Sequence, residues 1–232
     1  METRIQDIVI AVDGHSSCGK STVAKDIAKK TGFKYIDSGA MYRAVTLFSM
    51  KQNLVKDKNI DLQELKKSLD QVNIDFRHSE KGTQETWLNN INVENEIRTL
   101  EVSNLVSYIS EIDFVREKLV DLQQKLGIEK RIVMDGRDIG TVVFPRAELK
   151  IFMTASPEIR AKRRYEELLS KGQKVSFDEV LANIEKRDYI DQNREVGPLK
   201  KANDAILLDN SNLTREEQLN WVMEIIIRKF SK

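Results

Sequence analysis

The chain has 232 residues, of which 40% are apolar and 32% charged, long enough to bury a core in one large domain or in a domain carrying an insertion. Its 38 Lys+Arg against 37 Asp+Glu leave a formal charge of +1, which supplies no field for nucleic-acid backbones, and its single Cys excludes an internal disulfide or a cysteine-based zinc site. Glu2, Arg4 and Asp7 interrupt any apolar leader and no run reaches membrane-spanning length, so a cytoplasmic globular protein without membrane or nucleic-acid partners is expected.

Ile8–Val12 is an unbroken apolar run, the pattern of a strand buried on both faces of a parallel sheet. Val23, Ala24, Ile27 and Ala28 then share one helical face, and Gly32 supplies the stop. Phe33–Ile36 reads as a second strand, followed by a helix through Met41–Met50. Asp61 and Glu64 have capping-box spacing ahead of Leu62, Leu65 and Leu69, so a helix is expected there. Val72, Ile74 and Phe76 alternate, a turn follows at Ser79–Gly82, and Thr83–Leu88 continues, which predicts an antiparallel hairpin with a solvated His78. Helices are expected over Val93–Ser110 and Asp113–Leu126, and further strands at Arg131–Met134, Leu149–Met153 and Ala205–Leu208. Ser156-Pro157-Glu158 is a helix start, and Ser176–Glu179 and Thr214–Glu217 are two more capping boxes. Strands separated by helices predict a parallel α/β sheet covered on both faces, with the hairpin as an insertion. No long exposed apolar helix face asks for a partner, so a monomer is expected.

Gly14-x4-Gly19-Lys20-Ser21 fits the phosphate-binding pattern G-x-x-x-x-G-K-[ST], between an apolar strand and an amphipathic helix as that pattern requires. Glycines let successive N–H groups turn inward around phosphate oxygens, Lys20 brings a mobile charge, and the Ser21 hydroxyl can ligate Mg²⁺. A nucleoside triphosphate is therefore expected as ligand, with His15 and Cys18 as loop residues without a chemical part. A GTPase switch, a motor or transport ATPase and a small-molecule kinase all use such a loop. Asn-Lys-x-Asp, the guanine-reading motif, is missing from the sequence.

Arginines favour the kinase. Asp135-Gly136-Arg137-Asp138 follows the third buried strand, Asp37-Ser38-Gly39-Ala40-Met41-Tyr42-Arg43 the second, and Arg160, Arg163 and Arg164 the fourth. Carboxyl ends of parallel strands are where such sheets meet ligands. Arg187, Asp191 and Arg194 are spaced i, i+4, i+7 and share one helical face. So many guanidiniums at one edge suit an anionic acceptor, bound in bidentate fashion. An acceptor phosphate, with a second pKa of about 6, is already a nucleophile and needs no dedicated general base. An ATPase or nucleotide sensor indifferent to any monophosphate is the alternative, and within the kinase class UMP or AMP could replace another monophosphate. Tyr42 and Phe48 read as core packing.

The segments VDGHSSCGKST, YIDSGAMYRAVTL, NEIRTLEV, VMDGRDIGTVVFPRAELKIFM, RAKRRYEELLSKG and EKRDYIDQNREVGPLKKANDAILLDNS together resemble the bacterial type of cytidylate kinase over nearly the whole chain, most weakly between Met50 and Leu88. The resemblance implies a P-loop three-layer α/β fold: a five-stranded parallel sheet, a lid, and a monophosphate-binding subdomain enlarged by a small antiparallel sheet. Residues 1–37, 116–158 and 196–232 would form the core, 38–115 the subdomain and 159–195 the lid. It implies transfer of the γ-phosphoryl of ATP to CMP or dCMP with Mg²⁺. Gly14, His15, Ser16, Ser17, Cys18, Gly19, Lys20, Ser21 and Thr22 would wrap the ATP phosphates, Ser21 serving the metal. Arg43 and Arg137 would hold the CMP phosphate, while Ser38 and Asp138 face the nucleotide. Ser107, Arg116 and Arg194 would read the cytosine edge, and Arg187 and Asp191 would meet the sugar. Lys20, Arg137 and a lid arginine, Arg163 being taken, would act on the transferring group. His15 and Cys18 depart from the family's usual Pro and Gly/Ala without altering the spacing.

Overall fold

The computed structural model describes residues 4–56, 59–80 and 84–231. The first apolar run becomes strand β1 (Val9–Gly14), buried at all six positions. Helix α1 (Lys20–Thr31) follows the phosphate-binding loop and ends where Gly32 takes a left-handed φ of 69°. Strand β2 (Lys34–Asp37) runs straight into α2 (Ser38–Lys51). That helix starts earlier than the expected Met41 because Asp37, the last residue of the strand, caps it through the Ala40 N–H.

A two-stranded ladder, β3 (Val55–Lys56) with β4 (Asn59–Ile60), was not foreseen. Asp61 caps α3 (Leu62–Ser68) as expected, accepting from the Glu64 N–H. The hairpin forms from β5 (Ile74–His78) and β6 (Gln84–Leu88), with His78 exposed; of its expected turn, Lys81 and Gly82 lie outside the described residues, as does Thr83. A third strand, β7 (Ile91–Asn92), extends it through Asn89-Asn90, both at positive φ, the geometry of a tight two-residue turn.

The single helix expected over Val93–Ser110 is corrected to a 3₁₀ turn at Glu96–Arg98 followed by α4 (Leu100–Ser110). Thr99 makes the break: its backbone is extended at ψ 160° and its side chain caps α4 through the Val102 N–H. The interruption leaves Arg98 free of the helix face and paired with Asp37 at 2.7 Å.

Next come α5 (Asp113–Leu126), β8 (Ile132–Gly136), a single π turn at Ile139–Val143, and β9 (Leu149–Thr154). Ser156 caps α6 (Pro157–Ser170), and complete capping boxes open α7 (Phe177–Asn193) and α8 (Arg215–Phe230), which flank β10 (Ile206–Asp209). The central sheet is five-stranded and parallel in the order β10-β9-β1-β8-β2.

This order positions the site. The chain leaves β1 for β2, skips one place and returns to fill it with β8, then crosses to β9 on the other side. The carboxyl ends of β1, β8 and β2 therefore stand side by side at the point where the strand order reverses, the crevice in which open α/β sheets hold ligands. Register aligns Asp13 with Gly136, and Asp37 with Asp135. One face of the sheet packs on α1 and α8 through residues such as Ile10, Ile27, Met153 and Val222. Fully burying a side chain of that size contributes about 1.5–3 kcal/mol. A second core joins α2, α4 and α5 to the hairpin, and a third, of Ala161, Leu168, Val180 and Ile184, joins α6 to α7. Among the described residues no helix is long and apolar enough to cross a membrane.

Candidate active site

The phosphate-binding loop is held from behind. Gly14, at φ 149°, presses its Cα against the backbone of Met153, where any Cβ would collide. Three loop carbonyls are engaged by side chains: His15 by Lys20 Nζ at 2.6 Å, Ser16 by Arg160 at 3.2 Å, and Cys18 by Asn210 at 2.5 Å. Ser16, Ser17, Lys20, Ser21 and Thr22 line a cleft of 370 Å³. Gly14, His15, Cys18 and Gly19 instead shape the loop behind it. Cys18 is fully buried with its thiol on the Met153 carbonyl, and the His15 ring faces Phe152 and Gln192.

Ser21 Oγ donates to Asp135 Oδ2 at 2.9 Å, and Tyr35 OH donates to the other carboxylate oxygen at 2.7 Å. Burial, then the Asp37 charge, push the Asp135 carboxyl up to about 6, against Lys20, Tyr35 and Ser21. A divalent cation beside this carboxylate would favour its ionised form. The hydroxyl and carboxylate are the hard-oxygen pair that suits Mg²⁺ when phosphate oxygens and water complete the shell. Among the described residues no group of three or more His, Cys, Asp or Glu could hold an ion unaided.

Across the cleft stand the arginines. Arg43, on α2, reaches the Ile97 carbonyl at 3.4 Å. Burial and then the neighbouring guanidiniums of Arg187, Arg98 and Arg164 hold its pKa well below the ordinary arginine range. Arg187 is pushed down to about 10 by burial and Arg137, against the pull of Asp191. Arg137 donates to Asp191 at 2.7 Å. Among the described residues nine cationic and six anionic side chains line the cleft, the excess coming from Lys20, Lys25 and Lys171, so it carries a net positive field.

Deeper in, Asp138 pairs with Arg116 and lies 3.6 Å from Arg194, all three almost completely buried. Arg194 also donates to the Gly197 carbonyl at 2.7 Å. Gly197, at φ 60°, is required there, since a Cβ would strike both Arg116 and Asp138. Ser107 lines the same end, buried, with a hydroxyl that has no partner among the described residues. Ser38, which lines the cleft, donates to the Asp135 carbonyl at 2.6 Å. The structure thus brings together Ser38, Arg43, Ser107, Arg137, Asp138, Arg187, Asp191 and Arg194 around one cleft, with Arg116 supporting Asp138 from behind.

The lid arginines divide. Arg164 enters the cleft, donating to the Arg98 carbonyl at 2.8 Å. Arg163 turns away to Asn210, at 3.1 and 3.0 Å, and Arg160 is spent on Ser16, Ala155 and Asp188. Arg164 shares the i, i+3, i+7 face with Ala161 and Leu168, which pack on α7, and Arg163 does not, so the rotation of α6 against α7 makes the split. Asp135 and Arg98 were not assigned a part from sequence. Asp135 could have been, as an acid ending a buried strand; Arg98 depends on the break at Thr99.

Asp37 links this site to stability. Burial alone would raise its carboxyl, but the Arg98 charge and hydrogen bond, the Ala40 N–H and Arg43 together bring it down to about 2. A folded-state pKa below the ordinary 3.8 adds stability that is complete above that value and is lost as pH falls through about 2. The difference corresponds to about 2 kcal/mol. Urea unfolding of wild type and Asp37→Asn from pH 6 to pH 2 should show the two stabilities converging by about that amount in acid; a pH-independent gap would refute the pairing.

Residues 10–230 match the family described as cytidylate kinase. Among similar chains, a cytidylate kinase of Bacteroides thetaiotaomicron is 59% identical over 221 residues, covering 95% of this chain and 96% of that one. One of Flavobacterium psychrophilum is 52% identical over 223 residues, covering 96% and 99%. A gluconokinase from Sinorhizobium meliloti, 13% identical, shares the fold at a TM-score of 0.51, covering 97% of this chain and 94% of that one. With its phosphate-binding loop, its arginine-lined cleft and a match running almost from end to end, the chain belongs to the cytidylate kinase family.

Proposed function

We propose that the protein transfers the γ-phosphoryl of ATP to CMP or dCMP, giving ADP and the diphosphate. The observation that carries this reading is the cluster of guanidiniums facing Lys20 across one cleft: Arg43 and Arg187, whose pKa values burial and neighbouring guanidiniums lower, beside Arg137 and Arg164, each paired with one carboxylate. Two anionic partners, a triphosphate on the loop and a monophosphate opposite, would neutralise that field. In this reading residues 38–115 carry the acceptor, 159–195 act as lid, and the remaining segments form the core.

The chemistry needs position and charge more than proton transfer. Arg43 and Arg137 hold the acceptor phosphate, whose second pKa of about 6 leaves it nucleophilic near neutrality. Lys20 exchanges its bond to the His15 carbonyl for the donor phosphates, and Arg137, Arg164 and Lys20 take up charge on the transferring group. No side chain is assigned as general base. Ser21 and Asp135, with the phosphates, would hold Mg²⁺, which would add further neutralisation of the triphosphate. Arg187 and Asp191 lie where the sugar would sit. At the closed end, Ser107 and Arg194, the latter set by Asp138, present donors to a cytosine edge.

The test is ADP release with ATP and Mg²⁺ and CMP, dCMP, UMP or AMP supplied in turn. Fast turnover with CMP and dCMP and little with AMP is expected; turnover independent of any monophosphate would make the protein an ATPase or sensor and remove the acceptor assignments together. Ser107→Ala and Arg194→Lys should each reduce the CMP-over-UMP preference in kcat/KM by about tenfold, the value of one buried hydrogen bond to a charged or polar partner. An unchanged preference in both variants would sink the base-reading assignment.

A further inference from the structure

Asp13 plays no part in the chemistry above, yet its carboxylate is buried at the end of the central strand, 5% exposed. It accepts from the backbone N–H groups of Ile139 and Gly140, each at 2.7 Å. These are the leading N–H groups of the π turn, which have no earlier carbonyl to bond and need a cap. Within the turn, Val142 and Val143 bond back to the Asp138 carbonyl at 2.8 and 3.2 Å, and Phe144 to that of Ile139 at 2.6 Å.

Asp138 occupies the cap position of this turn, and an Asp there would ordinarily supply the cap itself. Its side chain makes no such bond; it points the other way, to Arg116 and Arg194. The cap comes instead from Asp13, 126 positions earlier. Gly140 admits the close approach: a Cβ there would stand 3.2 Å from Asp13 Oδ2 and 3.1 Å from the Lys150 stem.

We propose that Asp13 is a positioning residue for the acceptor: it caps the turn in place of Asp138, so that the Asp138 carboxylate is free to hold Arg116 and Arg194, and it ties the Gly136–Asp138 segment to the start of the phosphate-binding loop. The identity of the acceptor rests on the phosphotransferase reading; the cap does not.

Asp13→Asn tests it. An amide offers one acceptor oxygen and turns an NH₂ toward the second N–H, so one of the two bonds is lost. KM for CMP should rise about tenfold, the scale of one buried N–H left without its acceptor, with KM for ATP unchanged within about twofold and the preference for CMP over UMP reduced. A loss confined to packing would lower thermal stability and leave that split absent. An equal rise in both KM values, or an unchanged KM for CMP in folded variant protein, overturns the proposal. Should Asp13→Asn fail to fold, Gly140→Ala crowds the same carboxylate in place and the same split is expected; KM values equal to those of wild type overturn it. Wild-type protein that turns over no CMP would refute the phosphotransferase reading instead. Hydrogen exchange, which needs no nucleotide, then judges the cap: Ile139 and Gly140 amides as protected as those of β8 support it, and amides exchanging at loop rates remove it.

Discussion

Lys20→Ala should lower kcat by about three orders of magnitude while the protein stays folded, as expected for loss of a charge that acts on the transferring phosphoryl. Lys20 is 5% exposed, and burial holds its pKa below the ordinary lysine value. Its hydrogen bond is made to its own loop, at the His15 carbonyl 2.6 Å away, with the Cys18 sulfur at 3.7 Å. Removing the ammonium therefore leaves one carbonyl without its partner, a cost of about 1–3 kcal/mol, offset in part because no buried charge remains to be desolvated. Single-turnover measurement of phosphoryl transfer, alongside thermal unfolding, separates the two effects. A near-normal kcat in folded Lys20→Ala protein would mean that the loop does not hold the reacting phosphates.

Asp138→Ala should have the largest effect on stability, about 3–5 kcal/mol, because it strips two buried guanidiniums of their carboxylate. Arg116 is 2% exposed and Arg194 6%, and neither can move to water without opening the cleft floor. Arg116 keeps the Ser110 carbonyl at 3.3 Å and the face of the Tyr42 ring, 5.8 Å from its centroid, and Arg194 keeps the Gly197 carbonyl and Ser110 hydroxyl, with Asp191 4.0 Å away. Asp138→Asn preserves shape and one acceptor, so it should lose less, while still weakening CMP relative to UMP by loosening Arg194. Urea unfolding gives the first quantity and the ratio of kcat/KM values the second. If both variants matched wild type in stability, the three residues would not form the buried ion-pair cluster described above.

How legible such features are depends on how local their causes are. The phosphate-binding loop could be read directly because its glycines, lysine and serine are contiguous and do their work through backbone geometry. The buried strands were legible too, since a strand covered on both faces needs an unbroken apolar run. Capping boxes at Ser176 and Thr214 are four-residue events and formed as expected. The break at Thr99 was hidden because the flanking apolar residues kept helical spacing, and so was its consequence, Arg98 reaching Asp37 61 positions away. The choice between Arg163 and Arg164 belongs to the rotation of α6, which its packing against α7 sets.

By itself the sequence determined the buried parallel strands, most of the helices, the loop, and the presence of three arginine groups at strand ends, because each follows from residues within one or two turns of chain. Only the tertiary structure decided which charges meet. Ser21 finds Asp135 across 114 positions, Arg137 finds Asp191 across 54, and Asp13 caps a turn 126 residues on. The first and last of those pairings come from strand order, since placing β8 beside β1 brings two distant carboxyl ends within hydrogen-bonding reach, and the second from α7 packing over that edge; no local pattern of residues carries that information.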